Sequence, residues 1–298
     1  MQRRHASTSN RTPQRRPELS QHFFRDPAFV RQWVGRLPLC HAEPVVEVGP
    51  GRGAITDALA DRGLRVVAVE LDERLVRGLR ARFAGRANVQ IVQGDFLRHR
   101  LPRERYAVVG NVPFAISSDV LRRLIEAPTP PSNAWLVVQA EAAAKFAGVP
   151  RETLFSLLHK PVFDFRITRT FRRADFEPPP RVRTSLLHIA HRPAPLLERR
   201  EHASYRAFVR GTFGSGRTIA EALRWRLTRR QIVRLSRDIG FGLSVPPSAV
   251  PFDQWLRIFR FVEHECLGHD PCRDAWRTAV LRFAGLARGA VLDGDSRR

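Results

Sequence analysis

Residues 44–53 read Pro-Val-Val-Glu-Val-Gly-Pro-Gly-Arg-Gly, and this stretch decides the fold of the chain. A short apolar run ends in three alternating glycines, and residues 54–62 have the length and composition of a helix. Glycine lets the backbone turn sharply and approach a ligand that larger side chains would exclude. The stretch therefore predicts a strand, a tight ligand-binding loop and a helix.

The same pattern of a short apolar run followed by a helical stretch recurs through the first two thirds of the chain. Further β-rich runs lie at residues 65–69, 89–92, 106–109 and 134–138. Strands that alternate with helices at this spacing predict an α/β fold with a parallel, doubly wound sheet. Two later runs, residues 162–170 and 181–189, flank a proline-rich turn and predict an antiparallel hairpin that closes the sheet.

Composition and hydrophobic period divide the chain into four parts. Residues 1–18 are rich in arginine and polar residues and predict a disordered basic arm. Residues 19–192 carry the sheet pattern, and residues 193–270 follow a helical period, which predicts a small all-helical domain. A capping box at residues 228–231 marks the start of one of its helices. Residues 271–298 lose this period and predict a tail.

Basic residues outnumber acidic residues by 51 to 29, which gives a formal net charge of +22. All but Lys145 and Lys160 are arginine, whose planar guanidinium suits phosphate. The excess predicts a nucleic-acid partner rather than an anionic membrane, because no basic helix has a clean apolar face. No membrane span, secretory signal or disulfide framework is evident, so we expect a cytoplasmic protein with no membrane partner.

Arginine and aromatic residues are interleaved in the predicted helical domain. We expect its aromatic residues, among them Tyr205, Phe208, Phe213 and Trp225, to form a small core. The arginines have few acids to balance them and are expected to contact RNA phosphates. The predicted RNA-binding residues are Arg206, Arg210, Arg217, Arg224, Arg229 and Arg230. No metal site is predicted, because the cluster of His264, Cys266, His269 and Cys272 is too tight and has no second pair.

Acidic residues follow the second and third predicted strands, where they can hold a nucleoside. Glu70 is placed to accept hydrogen bonds from ribose hydroxyls, and Asp95 from an adenine amino group beside the ring of Phe96. The Gly-x-Gly-x-Gly loop, with Gly49 and Gly51, is tighter than the loop of dinucleotide enzymes. It suits a ligand without a pyrophosphate, such as S-adenosylmethionine.

The tetrapeptide Asn111-Val112-Pro113-Phe114 follows the fourth predicted strand and indicates the chemistry. The side-chain oxygen of Asn111 and the carbonyl of Val112 can accept both hydrogens of an exocyclic amine and favour its pyramidal form. Pro113 fixes the turn, and Phe114 offers a face on which the target base can stack. Methyl transfer to such an amine then depends mainly on in-line positioning.

The chain resembles the Erm family of ribosomal-RNA adenine N6-methyltransferases. The resemblance rests on the motifs above and on two further stretches, residues 20–23 (Ser-Gln-His-Phe) and 176–182 (Phe-Glu-Pro-Pro-Pro-Arg-Val). The chain also resembles the related dimethyladenosine transferases of small-subunit rRNA, and the resemblance covers roughly residues 19–262. It implies a Rossmann-like class I methyltransferase sheet and S-adenosylmethionine as cofactor. The donor contacts that it implies are His22, Phe24, Gly49, Glu70, Asp95 and Asn111. His22 stands where the family more often has asparagine, and Phe114 where it often has tyrosine.

The arginine-rich arm and the compact helical domain favour the Erm branch. That branch methylates an adenine of 23S rRNA and confers resistance to macrolides, lincosamides and streptogramin B. The implied partner is ribosomal RNA before the ribosome is fully assembled, and we expect a monomer. The main alternative is a small-subunit dimethyladenosine transferase.

The residues argue against three more distant alternatives. A non-enzymatic RNA-binding protein on the same scaffold is expected to lose the glycine loop or the Asn111 turn, and both are present. A DNA adenine methyltransferase usually has a second proline where Val112 stands. The loop spacing and the charge argue against an NAD-dependent oxidoreductase.

Overall fold

A computed structural model describes residues 22–267, with side chains as far as His264. The predicted arm, the predicted tail, and His269 and Cys272 of the candidate metal cluster lie outside these residues, and the side chain of Cys266 is not described. None of the described helices is long and apolar enough to cross a membrane. Within the same residues, no group of three or more His, Cys, Asp or Glu side chains is placed to hold a metal ion.

Within residues 22–192, the described part of the predicted sheet domain, there are nine strands and six α-helices. The elements up to the fifth parallel strand are β1 (Phe23–Phe24), α1 (Pro27–Gly35), β2 (Val45–Val48), α2 (Ala54–Ala60), β3 (Val66–Glu70), α3 (Glu73–Arg82), β4 (Val89–Gln93), β5 (Ala107–Asn111), α4 (Ser117–Ile125) and β6 (Asn133–Gln139). They are followed by α5 (Ala140–Ala147), α6 (Leu154–His159), β7 (Phe163–Phe171), β8 (Phe176–Glu177) and β9 (Thr184–His191). The predicted strands therefore form, and none of their ends is displaced by more than three residues.

Seven strands form one sheet in the order β4-β3-β2-β5-β6-β9-β7. The first five are parallel, and β9 and β7 are antiparallel to their neighbours. The chain winds outward from β2 in both directions, because β3 lies on one side of it and β5 on the other. The carboxyl ends of β2 and β5 thus flank the crevice where doubly wound sheets bind ligands. The predicted sheet and its antiparallel hairpin are confirmed.

Both faces of the sheet are covered by helices, which is why its central strands are mostly apolar, with Glu47 of β2 as a buried exception. Val46, Val108 and Leu136 face a core that includes α4 and α5. Val45, Val109 and Val137 face the opposite core, which includes α1 and α2. The two cores fix the strand ends that carry the polar residues of the site.

The remaining described helices are α7 (His202–Phe213), α8 (Ile219–Ala222), α9 (Arg229–Ile239) and α10 (Phe252–Leu267). They enclose a third core built around Tyr205, Phe208 and Trp255, and the capping box predicted at Thr228 opens α9. The expectation that Trp225 joins this core is wrong: the residue is 41% exposed. It lies in the turn between α8 and α9, outside the apolar face of either helix.

The helical domain is packed directly on the sheet domain. Leu157 of α6 belongs to the helical core, and its carbonyl accepts a 2.9 Å hydrogen bond from the Tyr205 hydroxyl. The buried carboxylate of Glu152 accepts hydrogen bonds from Lys160 (2.5 Å) and from the backbone nitrogen of Phe252 (3.2 Å). Packing therefore crosses the boundary that the sequence places at residues 192–193.

Candidate active site

One cavity lies at the carboxyl ends of β2, β3 and β5, at the point where the winding of the sheet reverses. All of the predicted donor-binding and catalytic residues line it except Asp95 and Phe96. Those that line it are His22, Phe24, Gly49, Gly51, Glu70, Asn111, Val112, Pro113 and Phe114. The sheet therefore brings residues from three strand ends and from the amino-terminal segment into one site.

The glycine loop after β2 adopts a backbone that other residues resist. Gly49, Gly51 and Gly53 have φ values of 63°, 58° and 84°, in the left-handed region. A Cβ atom at Gly51 would come within 2.7 Å of Cε1 of Phe23. Glycine at position 51 is therefore required twice, for its φ and for the close approach of the Phe23 ring.

Glu70 holds the glycine loop against the end of β3. Its Oε2 accepts a 3.0 Å hydrogen bond from the backbone N–H of Gly51, and its Oε1 accepts one of 3.0 Å from the backbone N–H of Asp72. Glu70 is buried and lines the cavity. Each carboxylate oxygen keeps a lone pair, so the residue can support the loop and still accept a bond from a ligand.

Glu47 is a second buried acid below the loop, on β2. The hydroxyl of Thr56 donates a 2.6 Å hydrogen bond to its Oε2, while no described residue donates to Oε1. Burial is the main cause that raises the pKa of Glu47 to about 8, and the nearby charge of Glu70 adds to it. The group is therefore largely protonated at neutral pH.

The Asn111 turn leaves β5 with its side-chain amide fixed. Asn111 Nδ2 donates a 2.6 Å hydrogen bond to the carbonyl of His22. The backbone N–H of Val112 donates to Val137 (3.1 Å), which ties the turn to β6. With its nitrogen engaged, the amide presents its oxygen as the acceptor available to a ligand.

The amino-terminal segment is clamped over the site by pairing with the proline-rich segment. The strands β1 and β8 pair, with Phe23 opposite Glu177. His22 Nδ1 donates a 2.8 Å hydrogen bond to the carbonyl of Pro178, and its ring lies 5.4 Å from that of Phe114, centroid to centroid. The two outlying motifs of the sequence thus meet at the cavity.

Phe24 both lines the cavity and belongs to an aromatic cluster beneath β1. Its ring centroid lies 4.6 Å from that of Phe176, 5.4 Å from that of Phe171 and 5.8 Å from that of Trp33. This packing anchors the segment that carries His22.

Asp95 and Phe96 lie outside the lining of the cavity. Asp95 Oδ1 accepts a 2.8 Å hydrogen bond from the backbone N–H of Leu97, so the side chain caps its own turn after β4. Phe96 is 5% exposed and packs into the core that includes α4 and α5. Their contact with a donor stays a prediction.

Phe23 and Arg52 are cavity residues that the sequence did not single out as donor contacts. The guanidinium of Arg52 lies 4.7 Å from the centroid of the Phe23 ring and 3.8 Å from a carboxylate oxygen of Glu177. Arg52 lies within the glycine loop, and this position in the sequence is the signal that could have identified it as a cavity residue.

The six predicted RNA-binding arginines are all exposed on the helical domain. None of them forms a salt bridge with another described residue. Burial and the charge of Arg210 lower the pKa of Arg206, so these two cations lie close together on α7. RNA binding by these six arginines stays a prediction.

The sheet with its antiparallel hairpin, the cavity at the switch point and the Asn111 turn are those of a class I methyltransferase. The family model for ribosomal RNA adenine dimethylase matches residues 12–264. The chain belongs to that family.

Relatives with similar sequences carry the names expected of this family. The mycinamicin-resistance protein MyrB of Micromonospora griseorubida is 37% identical over 87% of this chain and 84% of its own. An rRNA adenine N-6-methyltransferase of Saccharopolyspora erythraea is 32% identical over 84% of this chain and 66% of its own. The crystal structure of the 23S rRNA methyltransferase ErmE superposes with a TM-score of 0.76 at 32% identity, and covers 81% of this chain and 99% of that one.

Proposed function

We propose that this protein transfers a methyl group from S-adenosylmethionine to the exocyclic N6 of an adenine in 23S rRNA. The modification would give resistance to macrolide, lincosamide and streptogramin B antibiotics. The observation that carries the proposal is Asn111, whose amide is fixed in the same cavity as Gly51 and Glu70. The similarity to MyrB and to ErmE supports the choice of 23S rRNA.

The residues present fit the methyl donor, which supplies an electrophilic methyl group on a sulfonium when bound. The cradle at Gly51 has no room for a side chain, and the Glu70 carboxylate faces the cavity to accept bonds from ribose hydroxyls. Asp95 would accept from the adenine amino group, and Phe96 would pack beside its ring. His22, Phe24 and Gly49 would complete the contacts.

On the acceptor side, Asn111 Oδ1 and the Val112 carbonyl accept the two hydrogens of the adenine amine. This arrangement directs the nitrogen lone pair toward the methyl group, because both hydrogens are drawn to one side. Pro113 sets the direction of the turn, and Phe114 stacks on the target base. The methylated ammonium then loses its proton to water, so no side chain is needed as a general base.

The RNA is held in this proposal by the exposed arginines of the helical domain. Arg206, Arg210, Arg217, Arg224, Arg229 and Arg230 would contact backbone phosphates. We propose a cytoplasmic monomer that acts on rRNA before ribosome assembly is complete, when the target adenine is accessible.

The proposal is tested by supplying labelled methyl donor with protein-free large-subunit rRNA, protein-free small-subunit rRNA or intact ribosomes. We expect label at N6 of one 23S adenine in protein-free RNA and much less in intact ribosomes. Label found only in small-subunit rRNA would show that the protein belongs to the dimethyladenosine transferase branch instead. Absence of label from all three RNAs would overturn the proposal.

A further inference from the structure

Several large hydrophobic side chains are exposed in the described part of the chain, and Trp225 is the aromatic one among them. It is 41% exposed, in the turn between α8 and α9. Tryptophan carries a large apolar surface, and the nearby helical core could have enclosed it, as it encloses Trp255. Its exposure leaves a large aromatic surface accessible to a ligand.

The ring of Trp225 is held in one orientation although it is exposed. Its Nε1–H donates a 3.1 Å hydrogen bond to Oγ1 of Thr212, a residue that is itself fully buried. Next to Thr212, a Cβ atom at Gly211 would lie 2.9 Å from Cζ2 of the indole. The ring thus rests directly on the backbone of α7.

Gly211 is informative because glycine is a poor residue for the interior of a helix. It lies within α7, where alanine would be preferred on helix propensity alone. The space that its missing side chain leaves is occupied by the Trp225 ring. The close seat of that ring gives a physical account of glycine at this position.

The surroundings of Trp225 are cationic. The Arg226 guanidinium lies 4.2 Å from the centroid of the indole ring. Arg224, Arg229 and Arg230 are exposed close by in sequence, and none of them forms a salt bridge with another described residue. An oriented aromatic ring among arginines is a combination that binds unpaired nucleic-acid bases, because the arginines attract the backbone and a base stacks on the ring or on a guanidinium plane.

We propose that Trp225, with the Arg226 guanidinium over its ring, forms a stacking platform for an unpaired base of the RNA substrate, at a second contact outside the methyl-transfer cavity. This inference rests on the proposed function for the identity of the RNA. The charge favours RNA over a protein partner, because an apolar protein contact would require the surrounding arginines to be paired or desolvated.

The first test measures equilibrium binding of the full chain to two RNA hairpins. One hairpin is fully paired, and the other differs only in having an internal loop of unpaired adenine. Loss of one base stack corresponds to about a tenfold loss of affinity. We expect Trp225→Ala to bind the looped RNA about tenfold more weakly and the fully paired RNA unchanged. Trp225→Phe, which keeps a ring, should retain most of the preference for the loop. The salt dependence should stay unchanged in both variants, because no phosphate contact is removed.

The second test uses Gly211 to displace the ring without removing it. Gly211→Ala should weaken binding to the looped RNA in the wild-type background, because its methyl group takes the seat of the indole. In the Trp225→Ala background the same substitution should have no effect on binding and should stabilise α7.

Equal binding of the looped RNA by wild type and Trp225→Ala would overturn the proposal. So would an equal loss for looped and paired RNA, or additive effects of the two substitutions. The two proposals can fail separately. If wild type methylates no rRNA yet prefers the looped RNA through Trp225, the proposed function fails and the stacking site stands.

Discussion

The side-chain amide of Asn111 donates a 2.6 Å hydrogen bond to the backbone carbonyl of His22, 89 residues earlier in the chain. This bond joins the end of β5 to the segment that leads into β1. Since β1 pairs with β8, the orientation of Asn111 depends on three distant parts of the sequence. The geometry of the acceptor site is thus set by the fold as a whole.

Replacing His22 should weaken donor binding with little effect on the chemical step. His22→Ala removes the hydrogen bond to Pro178 and the ring contact with Phe114. Loss of one such bond predicts a rise in KM for the donor of about three- to tenfold, with kcat nearly unchanged. His22→Asn should recover part of the loss.

His41→Ala is the matched control, because His41 makes a similar 2.8 Å bond to a backbone carbonyl, that of Arg62, away from the cavity. A fall in kcat for His22→Ala without a change in KM would contradict this role.

Glycine substitutions should separate backbone strain from loss of the donor cradle. Gly51 and Gly63 both have positive φ, 58° and 72°, so alanine strains the backbone at either position by roughly 1–2 kcal/mol. Only at Gly51 does the added Cβ collide with Phe23, whereas nothing lies within 4 Å at Gly63. We expect Gly51→Ala to lower kcat/KM roughly a hundredfold and Gly63→Ala to lower only the melting temperature. Equal kinetic losses in the two variants would refute the cradle.

Glu47 should make the stability of the protein depend on pH. Its pKa is about 8 in the folded state and 4.5 in the unfolded reference. The folded state therefore binds the proton more tightly, and stability falls as pH rises through this window, by up to about 1.4 kcal/mol per pH unit. Glu47→Gln removes this contribution, so its stability relative to wild type should increase from about pH 5 to about pH 8.

The measurement is urea unfolding of both proteins across this pH range. The exposed Glu104→Gln variant serves as the control. Parallel stability curves for wild type and Glu47→Gln would show that Glu47 keeps an ordinary pKa.

Removing two of the arginines that form no salt bridge with another described residue should reduce the salt dependence of RNA binding. Each phosphate contact contributes about 0.7–0.9 to the slope of log K against log salt, so Arg229→Ala with Arg230→Ala should lower it by roughly 1.5. The control removes Arg65 and Arg86, which are paired with Glu104 and Asp61. If the slope is unchanged after Arg229→Ala with Arg230→Ala, the RNA binds elsewhere on the surface.

Much of the fold and the site could be predicted, because both follow from local rules. The strand-end positions of Gly51, Glu70 and Asn111 follow from alternating strands and helices, since parallel strands present their carboxyl ends at one edge. The capping box at Thr228 could likewise be predicted, because it depends on only four consecutive residues.

What could not be predicted depends on contacts between distant residues. Phe96 packs into the core that includes α4, and the Trp225 ring lies against Gly211 instead of in the helical core. Leu157 joins the helical core because α6 lies between the two domains. A hydrophobic period predicts which residues can be buried, but it does not predict which neighbouring residue packs against each of them.

The most direct test of the account compares Asn111→Ala with Asn133→Ala, an identical substitution at the opposite end of the neighbouring strand β6. Both variants should bind protein-free 23S rRNA as wild type does. Methyl transfer from labelled donor should be lost in Asn111→Ala and retained in Asn133→Ala. Full methyl transfer by Asn111→Ala would contradict the central claim that this amide grips the accepting amine.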